Sequence, residues 1–388
     1  MSKDILFLAH RLPWPPDRGD RIRSWHMLEA LAKLRPVHVI APLDAAGDVK
    51  HIAHVETVAA SVSTAVRTRS KGVAVAQALL TGQAASVALF AVPALIRRAA
   101  ALVASGQVGT IVAFSGQMAQ YVPQDRGQAR FIMDFVDLDS AKFAQQGAGA
   151  RGLLGIALRR EARRLLDFEI ATAKRADASL FVSDAEATLF TNKTNLPAQV
   201  IENGVDAEKF SPDAVTPVEA PHPLIVFTGQ MDYAPNVEAV TGFVRDVLPQ
   251  LPGATFAIVG RGPTRAVKAL AGERVIVTGE VPDTRPWLAA ADVVVAPLSL
   301  ARGIQNKVLE AMAMAKPVVA SPAAAEGIDV VRGAELLVAD DTVEQARVIA
   351  ALLADRDRAR TIGAAARARV QARYSWEARL APLAGLVA

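Results

Sequence analysis

The stretch "ARGIQNKVLEAMAMAKPVVAS" (residues 301–321) reads as a polar loop, a short helix and an apolar strand in direct succession. Val308, Leu309, Ala311 and Met312 bury such a helix on its strand, and Glu310 is the one acid among them. The helix start, with Gly303, Ile304 and Gln305 before it, offers backbone N–H groups to an anion. Lys307 adds a point charge there. A carboxylate in this position can accept two hydrogen bonds from vicinal hydroxyls, which a ribose presents. A surface acid is the plainer reading of Glu310, and its apolar neighbours weigh against it. An acid placed this way suggests a pair, yet the position eight residues upstream holds Arg302.

Loop, helix and strand recur outward from this stretch in both directions. Upstream lie the apolar runs "PLIVFTG" (223–229), "TFAIVG" (255–260), "RVIVTG" (274–279) and "DVVVAP" (292–297). The first half of the chain carries "DILFLA" (4–9), "VHVIA" (37–41), "VGTIVAF" (108–114), "RFIMDFV" (130–136) and "ASLFVS" (178–183). Short continuous apolar runs bounded by turns fit parallel strands buried on both faces. The fold class expected is α/β, two Rossmann-like doubly wound parallel-sheet domains, with ligands beyond the carboxyl ends of the strands in a cleft between them. "SPDAVTPVEAPHP" (211–223), with four prolines and no apolar period, reads as a linker. The expected division is 1–205, 206–370, and a C-terminal helical segment 371–388 that returns toward the first domain.

A chain of 388 residues, 52% hydrophobic and 21% charged, is long enough for two cores and is not disordered. The absence of cysteine excludes disulfides, thiolate metal sites and a cysteine nucleophile. The N-terminus reads as a strand rather than a signal peptide. Gly72–Ile96 carries no charge, but Gln77, Gly82, Gln83, Ser86 and Pro93 fit two packed helices broken near Thr81–Gly82 better than a membrane span. Residues 1–205 have net charge +6 and the remainder −2, so the first half is suited to an anionic partner. No zinc-finger or aromatic RNA-binding motif points to nucleic acid. "RGLLGIALRREARRLLDFE" (151–169) has the make-up of a basic amphipathic helix, suited to anionic lipid or to a solvated face.

Other loops close the set. "LPWPPDRGD" (12–20) precedes a helix near Arg21–Leu34; Gly19 permits close backbone approach there, and Asp20 reads either as a ligand-side residue or as the N-cap. "MDFVDLDS" (133–140) brings Asp134, Asp137 and Asp139 together, for acceptor binding, a base, capping or a metal. "ENGVD" (202–206) suits a hinge turn at Gly204. "FTGQMDYAPN" (227–236) supplies Gly229 and Gln230, and "VGRGP" (259–263) places Arg261 between two glycines.

Taken together these segments resemble a two-domain glycosyltransferase of the GT-B fold, close to family 4, and are similar to sugar transferases of exopolysaccharide and PEP-CTERM gene clusters. The likeness runs in family order from residue 10 to residue 321. It implies that Glu310 binds the nucleotide ribose, and that Lys307 and the backbone of Gly303–Gln305 face the donor diphosphate. It further implies that Arg261, Gly279 and Val281 line the base pocket, and that Gly19 and Asp20 close over phosphate or sugar. Asp137 falls near the place where many relatives keep a histidine. The implied chemistry is transfer from a nucleotide-sugar co-substrate with retention, without metal or other cofactor. The implied acceptor is a saccharide or lipid-linked saccharide, and the implied location is the cytoplasm or the inner face of a bacterial inner membrane. Two departures stand out: Gln230 and the region of Pro235–Asn236 replace basic residues of relatives, and Arg302 replaces an acid. Arg302, counted with Asp137 and Glu310 among the catalytic residues, then reads as a diphosphate ligand, as a ligand of the carboxylate of a uronic acid donor, or as the mark of a degraded nucleotide-binding subunit. A sugar-nucleotide 2-epimerase shares the fold but needs acids and histidines around the sugar, and only His10 and His26 lie near a ligand loop.

Overall fold

A computed structural model describes residues 3–301 and 304–387. The chain divides into two compact units, Met1–Asn203 with Arg379–Ala388, and Gly204–Ala378. In the first unit, β1 (Asp4–Leu8), β2 (Val37–Leu43), β3 (Ser61–Val66), β4 (Val108–Phe114), β5 (Arg130–Val136), β6 (Ala178–Phe181) and β7 (Gln199–Val200) form one parallel sheet in the order 3-2-1-4-5-6-7. In the second, β8 (Leu224–Thr228), β9 (Thr255–Val259), β10 (Val275–Gly279), β11 (Val293–Ala296), β12 (Val318–Ala320) and β13 (Leu337–Val338) order as 10-9-8-11-12-13. Each order reverses once, between β1 and β4 and between β8 and β11, and ligands of doubly wound sheets bind at that reversal. β8 is buried at every position, as a central strand covered on both faces must be.

Several local expectations need correction. Residues 211–223 are no free linker: they lie inside the second unit, where Val215, Val218 and Ala220 pack against its core. A single strap has no period to show, which is why its packing left no pattern. Gly204 does not take a positive φ; its backbone lies against Trp376, whose N and Cα atoms would stand 2.5 Å from a Cβ there. The uncharged stretch 72–96 holds parts of three helices, Lys71–Thr81, Ala85–Leu89 and Pro93–Ala104, the first ended by Gly82 at φ 72°. The helix Gly152–Arg175 packs one face inside its unit: Leu165, Glu161 and Glu169 are buried, and Glu161 accepts from the N–H groups of Ala85 and Ser86.

Within the first unit the last residues complete the fold. The helix Leu383–Val387 buries Leu383 and Val387 and packs on the helix Gly19–Ala32, and Arg379 pairs with Glu202 at 2.6 Å.

Candidate functional site

The reversal point of the second sheet is where its chemistry gathers. Gly229 directly follows β8, and Gly260, whose φ of 149° only glycine adopts freely, directly follows β9. A Cβ at Gly260 would lie 1.7 Å from the carbonyl oxygen of Gly229, so the two turns meet backbone to backbone. Gly260→Ala should therefore cost about 3 kcal/mol in equilibrium denaturation, from strain plus overlap. Gly279, at φ 70° with open space around its Cβ position, should cost only about 1 kcal/mol on the same change. Equal losses at the two positions would contradict this account of the turn.

Lys307 reaches this turn from the helix Asn306–Ala313, which follows the loop after β11. Its Nζ donates to Asn236 Oδ1 at 2.6 Å and lies 4.3 Å from the centroid of the Phe227 ring. Asn236 is buried, and its Nδ2 donates to the carbonyl of Gln230 at 2.9 Å. A Cβ on Gly229 would come within 3.0 Å of Lys307 Nζ, so glycine leaves room for the ammonium. Burial pulls the Lys307 amine down to about 8, against the attraction of Glu310. One turn on, burial pushes the half-buried Glu310 carboxyl up to about 7, opposed by Lys209 and Lys307. An anion would favour the charged lysine, and a pair of hydroxyls the charged carboxylate.

The remaining residues singled out by sequence fall around this pair in varied ways. Arg261 Nη2 donates to Gln230 Oε1 at 3.3 Å at the exposed rim. Gly279 ends β10, and the half-buried Val281 packs on the core. Ile304 stands 3.6 Å from the Cβ position of Gly327, and Gln305 is the N-cap, so the helix opens later than Gly303. Arg302 and Gly303 lie outside the described residues.

In the first unit, Asp20 belongs to the first turn of the helix Gly19–Ala32 and is not its N-cap, a place held by Arg18. Its carboxylate pairs with Arg11 at 2.6 Å and Arg18 at 3.2 Å, and the same two arginines reach Asp44, which also takes Arg67. Burial opposes the Asp20 charge, but hydrogen bonds from His10 and Arg11 and the arginine charges outweigh it and hold the carboxyl well below its ordinary range. No neighbour lies within 4 Å of a Cβ at Gly19, so no close approach within this unit demands the glycine. Trp14 stacks on His54 at 3.7 Å and fixes the loop that carries these residues.

Asp137 and Asp139 share one cation, Lys142, at 2.7 and 3.1 Å, and Asp139 also accepts from Gln117. Behind them Asp134 is fully buried and pairs with the equally buried Arg23 at 2.9 Å. Burial raises the Asp134 carboxyl, and Arg23 opposes that rise. Sequence reasoning missed this pair, although an acid inside "RFIMDFV" and an arginine among Ile22, Ser24 and Trp25 were a usable signal. It also missed Phe227, Asn236 and Lys209 as neighbours of Lys307 and Glu310.

Comparison with known proteins adds to this geometry. Residues 222–355 match the model of the family described as glycosyl transferases group 1. A lipopolysaccharide core biosynthesis mannosyltransferase, LpcC of Rhizobium leguminosarum bv. viciae, is 29% identical over 224 residues; that alignment spans 53% of this chain and 62% of the relative. Among solved structures, sucrose-phosphate synthase of Thermosynechococcus elongatus is similar over 99% of this chain and 98% of its own, with TM-score 0.59 and 20% identity. HepE of Anabaena, solved in complex with UDP, is similar over 99% of both chains, with TM-score 0.60 and 16% identity. The fold is that of the GT-B glycosyltransferases, and its second unit carries, over residues 222–355, the sequence pattern of glycosyl transferases group 1.

Proposed function

We propose that the chain is a glycosyltransferase that moves a hexosyl group from a nucleoside diphosphate sugar to a saccharide acceptor. The observation that carries this reading is the Lys307–Glu310 pair, set at the sheet reversal inside the matched segment. Lys307 and the start of its helix take the diphosphate, and Glu310 takes the ribose hydroxyls. Arg302 belongs with the diphosphate in this reading. The acceptor is held by the first unit, whose positive charge suits a saccharide carried on a phosphorylated lipid. The name of the Rhizobium relative, with its lipopolysaccharide role, supports that choice of acceptor and a place at the membrane face.

Transfer proceeds without a metal and with retention at the anomeric carbon. Catalysis comes from holding donor and acceptor together and from stabilising the departing diphosphate. The Lys142 ammonium between Asp137 and Asp139 supports the metal-free reading, because a cation already stands at that acid pair. Turnover should survive EDTA in a purified assay against a panel of nucleotide sugars. Loss of turnover restored by magnesium or manganese would refute the metal-free part. Product NMR tests retention, and tight nucleotide binding with neither transfer nor donor hydrolysis would favour the degraded-subunit reading.

Binding of a nucleoside diphosphate sugar, whose doubly esterified diphosphate does not titrate near neutrality, should also follow a bell-shaped pH curve. The ligand needs Lys307 charged and Glu310 ionised. Affinity should fall below pH of about 7 as Glu310 gains a proton, and above about 8 as Lys307 loses one. Titration calorimetry across this range reads both limbs, and Glu310→Gln should abolish the acidic one. An unchanged acidic limb in that variant would remove Glu310 from the site.

A further inference from the structure

The helix Lys71–Thr81 is packed inside out. Its inward face is two alanines, Ala74 and Ala78, which meet Ala88 of the next helix. Its large apolar side chains point outward: Val73, Val75, Leu79 and Leu80 are 48–89% exposed. A surface helix of a soluble domain has the opposite arrangement. Leu154 and Ile156, at the start of the helix Gly152–Arg175, are also exposed, at 65% and 58%. The two helices are tied together, because Arg160 donates to the carbonyl of Ala78 at 2.8 Å and reaches that of Gln83. Six of the chain's exposed large apolar residues thus fall on one neighbouring pair of helices, and clustering of this kind marks a contact surface.

The charge around these helices narrows what covers them. Residues 57–124 contain five Lys and Arg and no Asp or Glu, and residues 140–160 contain four and none. A second copy docked by the same face would set arginine against arginine; the exposed acid one turn beyond Arg163, Asp167, already stands 3.8 Å from Arg164. A bilayer of anionic lipid answers both features, taking the leucines into its acyl boundary and the arginines at its headgroups. Among the described residues no helix is long and apolar enough to cross a membrane.

We propose that the exposed faces of the helices Lys71–Thr81 and Gly152–Arg175 form a docking surface for an anionic lipid bilayer, with Leu79, Leu80, Leu154 and Ile156 inserting and Arg151 and Arg163 meeting phosphate. This deepens the membrane-side part of the proposed function. Its test uses no nucleotide and no acceptor, so failure of the transfer reading leaves it standing.

Purified protein is floated with vesicles of phosphatidylglycerol and phosphatidylethanolamine, and separately with vesicles of phosphatidylcholine. The wild type should rise with the anionic vesicles and bind the neutral ones about tenfold less. Leu79→Glu with Leu80→Glu should lower anionic binding about tenfold or more, without lowering the thermal midpoint, since both side chains are exposed. Arg151→Glu with Arg163→Glu should also lower binding and flatten its salt dependence. Leu80→Trp should keep binding and show a blue-shifted emission on anionic vesicles only. The proposal is overturned if the wild type stays in the soluble fraction, or if the double glutamate variant floats as the wild type does. It is equally overturned if sedimentation shows a dimer that the glutamates dissociate while vesicle binding is absent, which would make the partner a second copy.

Discussion

Lys307→Met should weaken binding of a nucleoside diphosphate by about 10- to 150-fold, the loss of one hydrogen bond between charged partners, about 1.5–3 kcal/mol. The same change should make the free protein more stable. Burial holds the amine near 8, below its ordinary 10.5, so the folded chain bears a cost for keeping that charge. The cost is complete below pH of about 8 and fades between about 8 and 10.5. The variant should therefore melt higher than the wild type at pH 7 and converge with it near pH 10.5. Lys307→Arg should not rescue affinity, since Gly229, Asn236 and Phe227 enclose a space fitted to a compact ammonium. Calorimetry and thermal unfolding on the same samples decide the matter. Unchanged affinity would exclude Lys307 as the anion ligand, and a lower melting point would show that it serves the fold instead.

Arg23→Ala should remove about 3–5 kcal/mol from the stability of the first unit, because it leaves Asp134 buried with no cation. In a domain of this size that corresponds to a fall in Tm of roughly 6–20 °C. Arg23 also donates to Asn203 at 3.0 Å, so the pair ties the helix Gly19–Ala32 to both β5 and the segment that ends this unit. Asp134→Asn should cost less than Arg23→Ala, since an amide can still accept from the guanidinium. The double change Arg23→Met with Asp134→Leu should recover most of the loss, as apolar replacements of buried pairs do. Denaturant titration of the three variants separates these outcomes. A loss under about 1 kcal/mol for Arg23→Ala would mean that water or a rearranged neighbour already serves Asp134.

The central strands were legible because burial on both faces writes itself as an unbroken apolar run, as in "LIVFT" of β8. β3, "SVSTAV", was not, because an edge strand covered on few sides can alternate small polar and apolar residues. β7 and β13, of two residues each, are shorter than any pattern. Lys307 and Glu310 stood out as charges among apolar neighbours. The partner of Lys307 did not, because Asn236 lies 71 residues away and meets it only through the adjacency of β8 and β11. Likewise the cluster around Asp20 joins Arg11, Arg18 and Arg67 through a second acid, Asp44, residues that the first sheet gathers and the sequence scatters.

The return of residues 379–387 to the first unit sets an order of events during synthesis. When residue 203 leaves the ribosome, the helix Gly19–Ala32 still lacks Leu383 and Val387, which come about 180 residues later. At ordinary elongation rates that is a wait of roughly 10–35 s. The second unit, unbroken in the chain, can finish folding within that interval, while the first unit stays open at one edge to chaperones and proteases. The protein is thus completed in the reverse of the order in which its halves begin.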